Sequence, residues 1–161
     1  MESDEELLAL KVHRRAVRRD ASELPDHITK SLSGELPEGL ELLSASVAAG
    51  LRPPSPTSAT YILAVRPEFA GDTLKHKIEH LLAGKSGVVR RLVDARALRF
   101  KQVDVGGLIR SVRLDGGIVS VECEISPAGS VRVKEILELL GLDAEKLARP
   151  VKRTAVQWRS S

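Results

Sequence analysis

The chain has 161 residues, enough for one domain or for two small ones on a shared core. Its 42% hydrophobic and 29% charged content is that of a folded globular chain and excludes a disordered one. The single cysteine, Cys123, excludes an internal disulfide or a cysteine-only metal cage within one chain, and a net charge of +3 makes the placement of charge more telling than its sum.

With Tyr61, Phe69, Phe100 and Trp158 as its aromatics, the chain has to build an aliphatic core, and few rings remain for stacking on nucleic-acid bases. The first residues are acidic and do not read as a signal sequence. No apolar run is long enough to span a bilayer, so the expectation is a cytoplasmic protein without a membrane partner.

In chain order, Leu8, Leu10 and Val12 alternate with Ala9, Lys11 and His13, the period of a strand within Glu5 to Arg15. Asp20-Ala21-Ser22 caps a helix from about Glu23 to Leu36, with Pro25 in its first turn and Leu24, Ile28 and Leu32 as its apolar stripe. Leu40 to Ala48 reads as the second strand. Gly50 to Ser58, with Pro53, Pro54 and Pro56, reads as a loop. Thr60 to Arg66 is a third strand, and a helix from Ala70 to Ala83 buries Leu74, Ile78, Leu81 and Leu82 before Gly84 ends it. Strand-helix-strand occurs twice, which is the ferredoxin-like order, and residues 1–84 form that first half.

Residues 85–161 read as antiparallel hairpins followed by a helix and a final strand, sharing one core with the first half. Val88 to Val93 and Ala97 to Val103 are strands, and Gly106-Gly107 sits in a short irregular link. Arg110 to Leu114 and Ile118 to Ile125 flank Asp115-Gly116-Gly117, whose Asp-Gly step supplies the positive φ of a tight type I′ turn. Val119, Val121, Cys123 and Ile125 are expected to face in, and Ser120, Glu122 and Glu124 out. A helix from Val131 to Leu140 buries Val133, Ile136, Leu137 and Leu140, Gly141 stops it, and Val151 to Trp158 is the last strand. The expected class is α+β.

From Lys75 to Lys101 the chain carries eight Lys and Arg residues against Glu79 and Asp94. Cations on strands, chiefly Arg90, Arg91, Arg99, Lys101 and Arg110, make a docking surface for an anion, an RNA backbone or an acidic partner. Gly129-Ser130 before Arg132 and Lys134 offers a second anion site at a helix N-terminus, which Arg153 on the last strand joins; the simpler reading there is an N-cap by Ser130. His76-Lys77-Ile78-Glu79-His80 fits the H-x-x-E-H pattern, in which two histidines on one helix face bind zinc beside a glutamate base. Set against that hydrolase reading is an ordinary solvated face opposite Leu74 and Ile78. Gly84-Lys85-Ser86 follows a helix and lacks the first glycine of a phosphate-binding loop, and Cys123 alternates with glutamates as a small core residue does.

The runs Leu36-Pro37-Glu38-Gly39-Leu40-Glu41-Leu42-Leu43, Arg90-Arg91, Val103-Asp104-Val105 with Leu108-Ile109, Gly129-Ser130-Val131-Arg132 with Glu135-Ile136-Leu137, and Val151-Lys152-Arg153-Thr154-Ala155 occur in a familiar order. Together they resemble the uncharacterised radical-SAM-associated protein family, encoded beside or fused to a radical SAM enzyme. The resemblance covers most of the chain. It departs in two places: the family begins with a further Arg- and His-rich strand and helix, which implies a fragment, a misplaced start or a shortened variant, and Gly50 to Ser58 replaces a longer segment. Radical SAM chemistry needs a cluster-binding cysteine triplet that Cys123 alone does not supply. The resemblance therefore implies a non-catalytic accessory module without a cofactor of its own, presenting an RNA or ribosome-related substrate to a radical SAM partner. A stand-alone RNA-binding domain is the alternative expectation.

Overall fold

A computed structural model of the chain describes residues 2–3, 6–8, 22–47, 54–84, 87–94, 96, 98–127 and 129–159. The chain divides into two compact units, Met1–Glu6 with Ser55–Arg159 and Leu7–Pro54 with Ser160–Ser161. The division falls ahead of Ser55. The class is α+β with mainly antiparallel sheets.

In the smaller unit the described structure is α1 (Leu24–Ser33), with Pro25 in its first turn and Thr29 Oγ1 donating back to Pro25 O at 2.9 Å. Residues 40–47 form no strand, although the sequence places the second strand there. The strand expected over Glu5 to Arg15 and the Asp20-Ala21 part of the cap lie largely outside the described residues, and residues 6–8 are not strand. Among the described residues, α1 is therefore not followed by the strand that the sequence places at residues 40–47, and the next strand is β2 (Ser55–Ala64).

The larger unit is built on one sheet. Its strands are β1 (Glu2–Ser3), β2 (Ser55–Ala64), β5 (Ile109–Asp115), β6 (Ile118–Ser126), β7 (Gly129–Ser130) and β8 (Lys152–Arg159). They run in the order β1-β8-β2-β6-β5, with β7 beside the end of β6. β1 is parallel to β8 and the other pairs are antiparallel. β2 starts inside the proline-rich stretch that the sequence assigns to a loop. At that end β2 pairs with β8 alone, since pairing with β6 begins at Ser58, and a register shift separates Pro56 from Ser58. Proline lacks a ladder donor and is tolerated where one edge is open.

The β5–β6 hairpin follows the sequence with one adjustment. Asp115 pairs with Ile118, so the two turn residues are Gly116 and Gly117, at φ 52° and 84°. Both positive angles belong to a type I′ turn, and glycine meets them without steric strain. One face of the sheet, carrying Ala59, Tyr61, Leu63, Val112, Val119, Val121 and Cys123, is buried. Its cover includes Leu74, Ile78 and Leu81 of α2 (Asp72–Leu82) and Ile136 and Leu140 of α3 (Val133–Leu140). Their i, i+4 spacing puts each set on one helix face. Leu82, expected in the core, is exposed. Gly141 ends α3 in the left-handed conformation, and Lys146 Nζ donates to its carbonyl at 2.9 Å. Beside these stands a separate two-stranded ribbon, β3 (Val88–Asp94) with β4 (Arg99–Asp104). No helix among the described residues is long and apolar enough to cross a membrane.

Candidate docking surface

The β3–β4 ribbon has a buried root and an exposed outer face. Val89 of β3 pairs with Val103 of β4, and Val89 and Val105 are buried in the core. Side chains alternate across a strand, so Val89, Arg91, Lys101 and Val103 share one face. Val88, Arg90, Leu92, Phe100, Gln102 and Asp104 share the other. On that outer face Leu92 is 43% and Phe100 51% exposed and they stand opposite each other; Val88 is exposed too. The Arg90 guanidinium lies 4.6 Å from the Phe100 ring centroid. Beyond them Val93 and Leu98 are exposed near the tip, and Leu98 has a positive φ of 47°, an unusual angle for a branched side chain.

The ribbon is held at its root by backbone packing. The Val105 N–H donates to Gly87 O at 2.7 Å, and Gly106 N–H donates to Asp104 Oδ1 at 2.9 Å. A Cβ on Gly87 would lie 2.5 Å from Asp104 Oδ1 and from the Gly106 backbone, so only glycine fits there.

A second attachment is ionic. Arg91 Nε donates to Glu135 Oε1 at 2.6 Å and Nη2 to Glu135 Oε2 at 2.8 Å; Nη2 also donates to Ser130 O at 2.6 Å. Glu135 Oε2 further accepts from the Arg132 backbone N–H at 2.9 Å. The two side chains are 17% and 6% exposed. Burial pushes the Glu135 carboxyl up, but the Arg91 guanidinium together with the Arg132 N–H and charge outweighs it and holds the group below the usual carboxylate range. The Arg91 guanidinium is pushed up by its hydrogen bond to Glu135 and stays protonated.

These contacts redistribute the residues that the sequence nominates. Arg91 is a clamp between β3 and α3, not a surface cation. Ser130 is not the N-cap: it sits in β7 and gives its carbonyl to Arg91, while Arg132 is the N-cap and Glu135 closes back on it. The helix N-terminus expected to hold an anion thus already has the Glu135 carboxylate. Lys134 is exposed on α3. Arg110 stands on β5 against Glu122 at 3.7 Å and Glu124 at 3.4 Å. Arg153 on β8 donates to Glu6 at 2.7 Å. Arg90, Arg99 and Lys101 are the nominated cations that remain together on the ribbon.

His76 and His80 lie on the exposed side of α2, with His76 Nδ1 3.5 Å from Glu79 Oε2 and both side chains well solvated. Among the described residues no three His, Cys, Asp or Glu side chains gather as a metal would need. Cys123 is buried, which pushes its thiol up to about 12 and leaves it a poor nucleophile. Lys85, part of the phosphate-loop echo, lies outside the described residues. An apolar groove of about 430 Å³ beside Val133 and Leu137 has Arg149 as its one charged wall residue and no converging polar groups.

Two determinants escape sequence reading. Glu135 is legible only as the N3 residue of a helix starting after Arg132, a position from which Glu reaches back to the cap. Phe100 and Leu92 are ordinary strand residues until the register sets them face to face on the solvent side. No protein-family model, curated protein or solved structure matches the chain.

Proposed function

We propose that the chain is a non-catalytic binding module that presents the outer face of the β3–β4 ribbon to a protein partner. The observation that carries this reading is the clustering of Val88, Leu92 and Phe100, all more than two-fifths exposed, around the Arg90–Phe100 stack. Exposed apolar groups grouped on one face mark interaction sites, and aromatic residues and arginine are enriched at protein interfaces. An RNA backbone calls for cations without such an apolar centre. The resemblance nominates a radical SAM enzyme as the partner, with this chain as its accessory module in the same compartment.

Association of the purified chain with that enzyme, followed by calorimetry, tests the proposal. Leu92→Glu and Phe100→Glu each remove an apolar contact worth about 2 kcal/mol at an interface and weaken binding by more than about tenfold. Unchanged binding in both variants refutes the docking face. A poly-uridylate titration tests the competing outcome: tight binding that falls steeply with salt assigns the ribbon to RNA instead.

A further inference from the structure

The ribbon's free edge carries a more specific assignment, which rests on the docking reading. Gly87 and Val105 form a hydrogen-bonded pair, and the register continues through Val88↔Asp104 to Leu92↔Phe100. In an antiparallel ladder, hydrogen-bonded and non-hydrogen-bonded pairs alternate. Val89–Val103 and Arg91–Lys101 are therefore the bonded pairs. The N–H and C=O groups of Phe100 and Gln102 point away from β3, toward an edge with no strand partner among the described residues. Residues Arg99 to Gln102 are exposed.

We infer that this edge of β4 takes up an extended segment of a partner protein in which acidic and apolar residues alternate. The added strand would bond through its backbone to Phe100 and Gln102. Its side chains opposite Phe100 extend the apolar face formed with Leu92, and those opposite Lys101 lie on the other face, beside its ammonium group. Period-two alternation fixes which partner residues meet which face. Charge chooses between occupants. A second copy of this chain, paired antiparallel about this edge, would bring Lys101 against its own counterpart, and like charges opposite each other on paired strands are unfavourable. Lysine on an open edge discourages that self-pairing while accepting carboxylates. Nucleic acid has no strand backbone with which to complete the ladder.

The probe is a short, end-blocked peptide of alternating glutamate and valine, added to the isotope-labelled chain. Binding is expected to protect the Phe100 and Gln102 amides from exchange. Gln102→Pro removes an edge-facing N–H without touching the bonds to β3, and should lower affinity by at least about tenfold. Lys101→Glu should weaken this peptide and favour one of alternating lysine and valine. Unchanged binding by Gln102→Pro, shifts confined to other surfaces, or displacement by poly-uridylate overturns the inference; so does absence of binding at millimolar peptide. If Leu92→Glu abolishes partner binding and Gln102→Pro does not, edge addition falls and the docking face stands. If neither variant affects the partner, both fall. Thermal unfolding of each variant confirms that the fold is retained.

Discussion

The Arg91–Glu135 clamp gives the sharpest energetic test. Arg91→Met keeps an unbranched stem but leaves the Glu135 carboxylate, only 6% exposed, with the Arg132 N–H in place of three charge-assisted bonds. Removing one member of a buried pair costs about 3 to 5 kcal/mol, because the other charge stays in a poorly solvated place. For a chain of this length, about 3 kcal/mol lowers Tm by roughly 6 to 12 °C. Glu135→Leu has the milder fault, since Arg91 is 17% exposed and reaches water more readily. Arg91→Met/Glu135→Leu is expected to recover most of the loss, because an apolar pair of similar volume often replaces a buried ion pair without penalty. The double-mutant cycle should therefore show strong coupling. Urea unfolding near neutral pH measures all four proteins. Strictly additive losses, or single losses below about 1 kcal/mol, would refute the clamp as an energetic element.

The same pair sets an acid dependence. Glu135 has a lower pKa folded than the ordinary value of 4.5, so its contribution is complete above that value and is lost as pH falls through the folded pKa. Wild type should lose stability more steeply than Glu135→Gln below about pH 4.5; parallel curves would contradict this. Cys123, with its thiol pushed up to about 12, should resist alkylation in the folded chain and react fully once denatured. Gly117→Ala combines a φ of 84° with a Cβ 3.2 Å from Val65 O, and should cost about 1 to 2 kcal/mol by denaturant titration. Arg110→Ala, by contrast, removes a pair in which both partners are over a third exposed, and should change stability by less than about 1 kcal/mol.

Most of the larger unit is legible where two local signals coincide. β5 and β6 combine period-two alternation with Gly116-Gly117, and α2 and α3 combine an apolar stripe with Gly84 and Gly141 after their ends. Legibility fails where tertiary context decides. Leu40 to Val47 reads as a strand in the sequence, but none of the described strands pairs with it. Ser55 to Ser58 has the prolines of a loop but lies in the β2–β8 ladder. For the site, composition locates the cations but not their partners. Arg90 and Arg91 are adjacent and identical in type; Glu135, 44 positions from Arg91, makes one structural and leaves the other on the surface.

That ambiguity is deeper than one residue. Val88-Val89-Arg90-Arg91 repeats each type twice, so a one-residue slip of β3 would present valine to the core and arginine to Glu135 as before. A slip normally moves the hydrophobic set to the wrong face, but here β3 itself exerts little such control. Register must come from elsewhere, and the root of the ribbon supplies it. Gly87 packs on Asp104 and Gly106 too closely for any side chain, and its carbonyl accepts from Val105. Gly87→Ala should therefore do more than overpack, which alone costs about 1 to 3 kcal/mol. By forcing the root apart it should let both arginines compete for Glu135. In the wild-type background Arg91→Met should be far more damaging than Arg90→Met. In the Gly87→Ala background the two should converge, as measured by the same urea titrations. If the difference between them persists, the clamp alone holds the register and the glycine contact is only close packing. If it collapses, a single glycine decides which arginine is buried and which stands over Phe100.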